Sequence, residues 1–295
     1  GYLDLEIAEA KIQLDESGAV DSICAYERQE SHLMIEEAML AANVVVANFC
    51  IERERETLFR VHGVPDEDKL KTFSEALSEI GGIETNGSNV AEFSACLRQI
   101  EDPDIRVLLS TLLLRAMMKA EYKTQLSGHY GLGFEAYLHF TSPIRRYPDL
   151  VVHRIVRNVL RKERKSKSRS LSEIAGQSNR RERLALEAER DVQALYKCLW
   201  LKPRIGERFP GFVTHVSPKG AFVKLGETYC DGFIPFADSG RRRGARRSKD
   251  VFSPHEQSVL PLEIGERIDV VLVNVSVTRR RVELRQLTAE ENNEQ

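Results

Sequence analysis

The residues best suited to chemistry lie together in the run His129–Leu150, HYGLGFEAYLHFTSPIRRYPDL. Within it, two glycines, several aromatic residues and the adjacent Arg145 and Arg146 surround a Ser-Pro break. Pro143 ends the preceding segment, and a helix is predicted to begin just beyond, between Tyr147 and Asp149. The two arginines therefore lie at a loop-to-helix junction, where a guanidinium and free helix N–H groups can hold one phosphate. A Gly/Pro turn with two solvated arginines is the alternative interpretation.

Charge is distributed unevenly along the chain, although the net charge is only −2. Acidic residues dominate up to about Asp104, whereas Lys and Arg cluster between residues 145 and 190 and again in Arg241–Lys249. This asymmetry favours a polyanionic partner. Solvated loops or helix faces are the alternative for either cluster taken singly.

Composition limits the class of protein. With 295 residues and 42% apolar content, the chain is long enough for two domains with ordinary cores. We find neither an eighteen-residue apolar run nor a leader, so we expect a soluble, cytoplasmic protein without a membrane partner. The five cysteines are scattered and form no Cys-x-x-Cys pair, so we expect neither a disulfide partner nor a zinc site.

The periodicity of apolar residues predicts the helices and strands that position the run His129–Leu150, which we call the central run. Alternating apolar residues predict a hairpin over residues 3–12 and 19–27, and apolar residues at helical spacing predict a well-buried helix from Ser31 to about Arg53. Further helices are predicted over residues 66–80, 90–99, 104–122, 148–160 and 171–201. A domain boundary is expected at Lys202-Pro203, where the last of these helices ends.

The C-terminal part has a different pattern. Short strand-like runs over residues 208–217, 220–225, 232–235, 267–275 and 281–284 predict a small closed barrel. The segment Gly206–Gln286 resembles the OB-type RNA-binding module repeated in the largest small-subunit ribosomal protein. The tail over residues 287–295 is polar and acidic, which is typical of disorder.

An OB barrel binds single strands by stacking bases on exposed aromatic rings and by contacting phosphates with basic side chains. Phe212, Phe222 and His215 are the candidate stacking residues, and the two phenylalanines rank above Phe233 because they suit the exposed strand face. Packing in the barrel core is the alternative for each ring. The candidate phosphate contacts are Lys219, Lys224, Arg241, Arg242, Arg243, Arg246 and Arg247.

Four motifs in order give a second resemblance. The segments Leu33–Asn43, Phe59–His62, His129–Leu150 and Ala188–Val192 are similar to the ribonuclease II/ribonuclease R family, and RYPDL within the third is closer to ribonuclease R. The fold class implied is α+β. A partial RNB catalytic domain of strands and a helical bundle over residues 1–201 would precede the all-β, five-stranded OB barrel over residues 206–286.

The resemblance implies processive 3′-to-5′ hydrolysis of single-stranded RNA to nucleoside 5′-monophosphates. Arg145 matches the family's phosphate-binding arginine, which stabilises charge in the transition state. Glu36 and Glu189 match carboxylates near the terminal ribose, with an intradomain salt bridge as the alternative for each. Arg146 and Tyr147 are expected to contact the substrate beside Arg145.

The family also uses magnesium ions held by an aspartate cluster, and we find no such motif in this sequence. No metal ligand is assigned to any residue, although magnesium is expected for the complete enzyme. The chain alone is therefore expected to be inactive, with the upstream Asp-bearing segment as a second expected partner besides RNA. A noncatalytic RNA-binding remnant is the alternative.

Overall fold

A computed structural model of the chain describes residues 10–26, 29–85, 87, 90–162, 170–236 and 262–287. In chain order its helices and strands are β1 (Ala10–Leu14), β2 (Val20–Ala25), α1 (Glu30–Glu52), β3 (Phe59–Val61), α2 (Glu67–Gly81), α3 (Val90–Arg98), α4 (Pro103–Ala116), β4 (Glu121–Lys123), α5 (Tyr147–Leu160), α6 (Leu171–Leu201), β5 (Arg208–Ser217), β6 (Gly220–Leu225), β7 (Cys230–Pro235), β8 (Arg267–Ser276) and β9 (Arg281–Gln286). The predicted α+β class is confirmed.

Contacts divide the chain into two compact units. The first contains residues 29–188, and the second contains residues 10–26 together with the described residues from 189 onward. This division differs from the predicted single domain over residues 1–201. The reason is packing, because Ile23 of β2 and both Cys198 and Leu201 of α6 lie in the core of the barrel.

The predicted hairpin is present over the described residues, as the antiparallel pair β1 and β2. Its turn is closed by Asp15, whose carboxylate accepts hydrogen bonds from the N–H groups of Ser17 at 2.8 Å and Ala19 at 2.9 Å. Gly18 has a φ of +82° at this turn, a conformation that glycine adopts without strain. Residues 3–9 of the predicted hairpin lie outside the described residues.

Helix α1 has the predicted position, but the expectation that it is well buried is wrong for one of its faces. Ala47 and Cys50 are buried, whereas Met34 is 67% exposed and Val45 is 65% exposed. Apolar residues surround this helix, and only one side finds packing partners among the described residues. By length and composition α1 could cross a membrane, although its buried Asn43 bonds to protein groups, as in a core helix.

The helix predicted over residues 104–122 is shorter in the structure. It ends at Ala116, and residues 121–123 form β4, which pairs with β3. The backbone of Tyr122 bonds to the Asn179 side chain, which accepts from its N–H at 2.8 Å and donates to its carbonyl at 3.0 Å. These contacts to a distant helix explain why local sequence could not predict the strand.

The five predicted strands of the second unit form a closed barrel in the order β5-β6-β7-β9-β8. The barrel core is mainly aliphatic, with Val213, Val223 and Leu272 fully buried. Close strand packing requires glycine at position 220, which has a φ of +153° and where a Cβ would lie 2.2 Å from the carbonyl oxygen of Ile234. The predicted barrel is therefore confirmed.

Candidate functional site

The two adjacent arginines lie at the predicted loop-to-helix junction. Arg146 is the N-cap residue of α5, and the backbone N–H groups of Arg145 and Arg146 donate to the carbonyl of Ser142 at 3.3 and 3.0 Å. We call residues 142–146 the arginine turn. Arg145 is exposed, and in sequence it immediately precedes the N-cap residue of a fourteen-residue helix.

A buried carboxylate holds the arginine turn in place. Asp149 is fully buried, and its Oδ1 accepts from the Ser142 N–H at 2.8 Å and from Nη2 of Arg146 at 2.8 Å. A charge-assisted pair in such a buried place is geometrically specific. Arg146 therefore supports the turn itself, which favours an intradomain ion pair over the predicted contact with substrate.

Two buried polar side chains interact electrostatically with Arg146 of the arginine turn. The Tyr122 hydroxyl and Nδ1 of His139 share a hydrogen bond of 2.8 Å. Burial, together with the positive charges of Arg146 and Arg60, lowers the pKa of His139 to about 2. Burial also raises the pKa of Tyr122 to about 12. Both side chains are therefore uncharged at neutral pH, so neither competes with a guanidinium for an anion.

Asn43 connects α1 to the central run. Its side-chain amide donates to the Tyr137 hydroxyl at 3.0 Å, and its carbonyl accepts from the Phe140 N–H at 2.9 Å. Asn43 is itself 2% exposed. Tyr137 is also buried, so this hydrogen bond lies in the interior of the first unit.

Two further histidines lie in the same unit. The Nδ1 atom of His62 accepts from the Gly131 N–H at 2.9 Å, so its Nε2–H donates to the Met118 carbonyl at 2.5 Å. Burial and the nearby His62 lower the pKa of His129 to about 4. A Cβ at position 131 would lie 2.8 Å from Nδ1 of His62, which explains the glycine there.

The histidine and carboxylate side chains do not form a metal site in the part of the chain that the structure describes. No group of three or more His, Cys, Asp or Glu residues is placed to hold an ion there. The nitrogen atoms of His62 and the Nδ1 atoms of His129 and His139 are engaged within the protein. These histidines pack and bond within the fold.

Two of the three arginines that act on His139 are neutralised within the first unit. Arg60 makes a bidentate pair with Glu182 at 2.8 and 2.9 Å and lies 4.7 Å from the centre of the Tyr122 ring. Arg146 is paired with Asp149. Within the described residues Arg145 has no carboxylate partner, so its charge is available to an external anion.

The other predicted residues of this site are dispersed. Tyr147 is the first residue of α5 and is 51% exposed beside Arg145. Glu36 is half-buried on α1, in the same unit. Glu189 is exposed on α6 and belongs to the second unit. The structure thus brings together Arg145, Arg146 and Tyr147 as neighbours on one turn.

In the barrel, the prediction that Phe212 is exposed is wrong. Its side chain is 5% exposed, and the Arg267 guanidinium lies 5.7 Å from the centre of its ring. On β5 Phe212 is the neighbour of Val213, which lies in the barrel core, so Phe212 is on the opposite face of the strand, as the alternation of strand faces predicts. The ring is nevertheless buried on that face by contacts that the strand pattern does not reveal.

Phe222 has the predicted exposure and is accompanied by two other rings. It is 44% exposed on β6, with the centre of its ring 5.0 Å from that of Phe233 and 6.1 Å from that of His215. Phe233 is half-buried on β7. Phe233 is therefore more exposed than Phe212, which is the reverse of the predicted ranking of the two rings as stacking residues. We call Phe222, Phe233 and His215 the aromatic row. It offers stacking surfaces to an unpaired base.

The predicted basic residues of the barrel have different outcomes. Lys219 is exposed and Lys224 is half-buried, with its ammonium 5.6 Å from the centre of the Tyr229 ring. The predicted phosphate contacts Arg241, Arg242, Arg243, Arg246 and Arg247 lie outside the described residues. Sequence reasoning missed the basic side chains of α6 beside Phe222, although their helical spacing was a visible signal.

Comparison with known proteins identifies both parts of the chain. A sequence model described as the RNB domain matches residues 1–162. The chain belongs to the RNB family. A model described as the S1 RNA binding domain matches residues 202–285, which contain the closed barrel. The arginine turn therefore lies within the RNB match.

Relatives of this RNB protein are named ribonuclease R. The chain is 30% identical to ribonuclease R of Escherichia coli over 98% of its own length and 37% of the relative's length. It is 33% identical to that of Aquifex aeolicus over 96% of this chain and 41% of the relative. The chain thus spans about two fifths of the length of these relatives.

Solved structures agree with this assignment. The structure of Mycoplasma genitalium RNase R in complex with ribose-methylated single-stranded RNA has a TM-score of 0.85 at 26% identity, covering 97% of this chain and 46% of that chain. Yeast Ssd1, a pseudonuclease, has a TM-score of 0.60 at 22% identity over 71% of this chain and 27% of that chain, which shows a shared fold alone.

Proposed function

We propose that this RNB protein is the C-terminal part of a ribonuclease R-like exoribonuclease that hydrolyses RNA processively from the 3′ end to nucleoside 5′-monophosphates. The observation that carries this proposal is the exposed guanidinium of Arg145, without a carboxylate partner among the described residues, on a turn fixed by buried Asp149. The resemblance to ribonuclease R relatives supports the reaction and its direction.

Arg145 suits the charge that develops during phosphodiester hydrolysis. The scissile phosphate gains negative charge in the transition state, and a donor that is already oriented stabilises it without reorganisation. Asp149 supplies that orientation, because it holds the backbone of Ser142 at the start of the arginine turn. A guanidinium also offers planar, bidentate donors that match two phosphate oxygens.

Magnesium does not fit the described residues around Arg145. Asp149 anchors the arginine turn, but its Oδ1 accepts hydrogen bonds from Arg146 and Ser142 and its side chain is fully buried. Magnesium keeps several waters and needs open carboxylate oxygens. We therefore place its ligands in a further Asp-bearing segment of the RNB domain, supplied by the remainder of a longer polypeptide or by a second chain.

The exposed face of α1 supports a contribution from such a segment. Met34, Ala38, Ala41 and Val45 are spaced along one side of the helix and are all exposed. Contiguous apolar surfaces of this kind mark interaction sites. Since the chain spans about two fifths of its relatives, the Asp-bearing segment is our proposed occupant of this face.

The proposal is tested by adding labelled single-stranded RNA and magnesium to the purified chain, first alone and then with the Asp-bearing segment of a ribonuclease R relative. We expect no mononucleotide release by the chain alone and release by the pair. Release by the chain alone would refute the placement of the metal ligands elsewhere.

A noncatalytic RNA-binding protein is the second candidate function. It is favoured by the complete closed barrel within the S1 match, combined with the lack of a metal-binding group among the described residues. A folded pair that binds RNA but releases no mononucleotides would support this candidate over the exoribonuclease.

A further inference from the structure

A cleft of about 780 Å³ lies beside the aromatic row of the barrel, within the second unit. One wall comes from β6, β7 and β9, and the other comes from the last turns of α6. The α6 wall presents Arg190, Gln193 and Lys197, which are three, four and seven positions apart and therefore share one helical face. These helix residues precede the segment matched by the S1 model.

The α6 wall is fixed to the barrel. Cys198 and Leu201 of α6 are 2% and 0% exposed in the barrel core. Farther up the helix, the Asp191 carboxylate pairs with the Arg280 guanidinium at 3.2 Å. Arg280 has a φ of +52° in the turn between β8 and β9, so this brace connects the helix to the turn at the edge of the cleft.

The cleft carries a surplus of positive charge. Arg280 is paired with Asp191, so its charge is not counted as available to a ligand. The other charged residues of the lining are Arg190, Lys197, Lys219, Arg281, Asp231 and Glu283. Four cations therefore face two carboxylates, an arrangement that attracts a polyanion.

Aromatic surface lies in the same cleft. Phe222 and Phe233 both contribute to its lining, and their rings are tilted by 54° to one another. Each ring has a face on which a base can stack, and stacking on a side chain requires a base that is not paired within a duplex. The combination of cations and rings therefore selects a single-stranded nucleic acid.

We propose that the last turns of α6 form half of the RNA site of this protein. An unpaired base stacks on Phe222, while its flanking phosphates lie between Arg190 and Lys197 on the helix and Lys219 and Arg281 on the barrel. This inference rests on the proposed RNA-processing function and extends it, because it assigns RNA contacts to a helix outside the S1 module.

The test measures binding of a fluorescently labelled ten-nucleotide oligoadenylate to the full chain by anisotropy, without magnesium. The paired substitution Arg190→Gln and Lys197→Gln should weaken binding on the order of tenfold in low salt. Losing two phosphate contacts should also lower the slope of log affinity against log salt by about 1.4. A competing acidic polypeptide, polyglutamate, should displace the RNA weakly.

Matched controls change the same charges outside the cleft. Arg181 of α6 and Lys202, which follows α6, are exposed and do not line the cleft, so the pair Arg181→Gln and Lys202→Gln should change affinity less than twofold. If the paired cleft variant does not fold, the single variant Arg190→Gln at an exposed position serves instead, with an expected loss of about threefold.

The binding results of these variants distinguish failure of the α6 proposal from failure of the proposed RNA-processing function. Loss of binding in Phe222→Ala with full binding in the α6 variants would overturn the role of α6 and leave an RNA-binding barrel. An equal loss in the cleft and control pairs would show a general effect of charge and also overturn it. Tight competition by polyglutamate would identify an acidic protein as the ligand.

Discussion

The arginine turn and the barrel cleft are both basic, but they use positive charge in opposite ways. Of the three arginines that act on His139, Arg60 and Arg146 are neutralised by Glu182 and Asp149, and Arg145 carries the available charge. In the cleft, Arg280 is paired while four other cations line the walls. A single oriented charge suits the stabilisation of one transition state. Several adjustable charges suit affinity for a long polyanion.

Substitution of Asp149 should have the largest effect and tests whether the turn depends on its anchor. Asp149→Ala leaves the Arg146 guanidinium and the Ser142 N–H without their buried acceptor. Removing one partner of a buried ion pair destabilises a protein by about 3–5 kcal/mol. Urea unfolding followed by circular dichroism measures the change in the free energy of unfolding.

Glu135→Ala is the matched control for Asp149, because it removes an exposed carboxylate from the same stretch of chain. Its effect should stay within about 0.5 kcal/mol. Similar losses in both variants would mean that the buried carboxylate does not anchor the arginine turn.

Substitution of Arg145 should lower the turnover rate much more than the affinity for RNA. In the pair formed with the Asp-bearing segment, Arg145→Ala should lower the rate of mononucleotide release about a hundredfold, as expected for a lost charge-stabilising donor. RNA affinity should change far less, because the barrel keeps its own contacts. Single-turnover rates and anisotropy titrations measure the two quantities.

Two variants sharpen this second prediction. Arg145→Lys keeps the charge but loses the planar pair of donors, so its turnover should lie between those of the native chain and Arg145→Ala. Arg115→Ala removes an exposed cation on α4 and should leave turnover unchanged. Undiminished turnover in Arg145→Ala would give this residue a structural role only.

The sequence predicted the features that depend on local pattern. The five barrel strands alternate apolar and polar residues between clear turns, and Ser-Pro followed by Tyr-Pro locates the loop-to-helix junction of Arg145. Both features were found at the predicted positions. The metal-binding half of the proposed site had no signal in this sequence.

Features that depend on distant contacts were not predictable. Strand β4 pairs with the distant β3, and its Tyr122 bonds to Asn179, 57 positions away. Phe212 is buried on the outer face of β5 by contacts that the alternation of strand faces does not reveal. The α6 wall of the cleft requires the helix to pack on the barrel, which the helical spacing of Arg190 and Lys197 does not reveal by itself.

The two phenylalanines of neighbouring strands offer a smaller test of the cleft. Phe222→Ala should weaken oligoadenylate binding by about 1–3 kcal/mol, the contribution of one stacked base, and leave unfolding little changed because the ring is 44% exposed. Phe212→Ala removes a buried ring, so it should lower stability while the folded fraction binds normally. The opposite result would restore Phe212 as a stacking residue.

The smallest expected effect concerns the pH dependence of the first unit, which contains the neutral histidines. Burial holds the pKa of His129 at about 4, below its ordinary value of 6.5. Below pH 6.5 the unfolded chain binds a proton that the folded chain does not, so stability is complete above pH 6.5 and falls toward pH 4. One pH unit below 6.5 should cost about 1 kcal/mol.

Urea unfolding at pH 7.5, 6.5, 5.5 and 4.5 tests this dependence. His129→Asn keeps an acceptor for the Leu132 N–H, to which Nδ1 of His129 now bonds at 3.2 Å, but it cannot take the proton. Its stability should therefore fall less steeply with acid than that of the native chain. His215→Asn, on the exposed barrel face, should keep the native slope. If His129→Asn also keeps the native slope, acid acts on the stability of the fold through other groups.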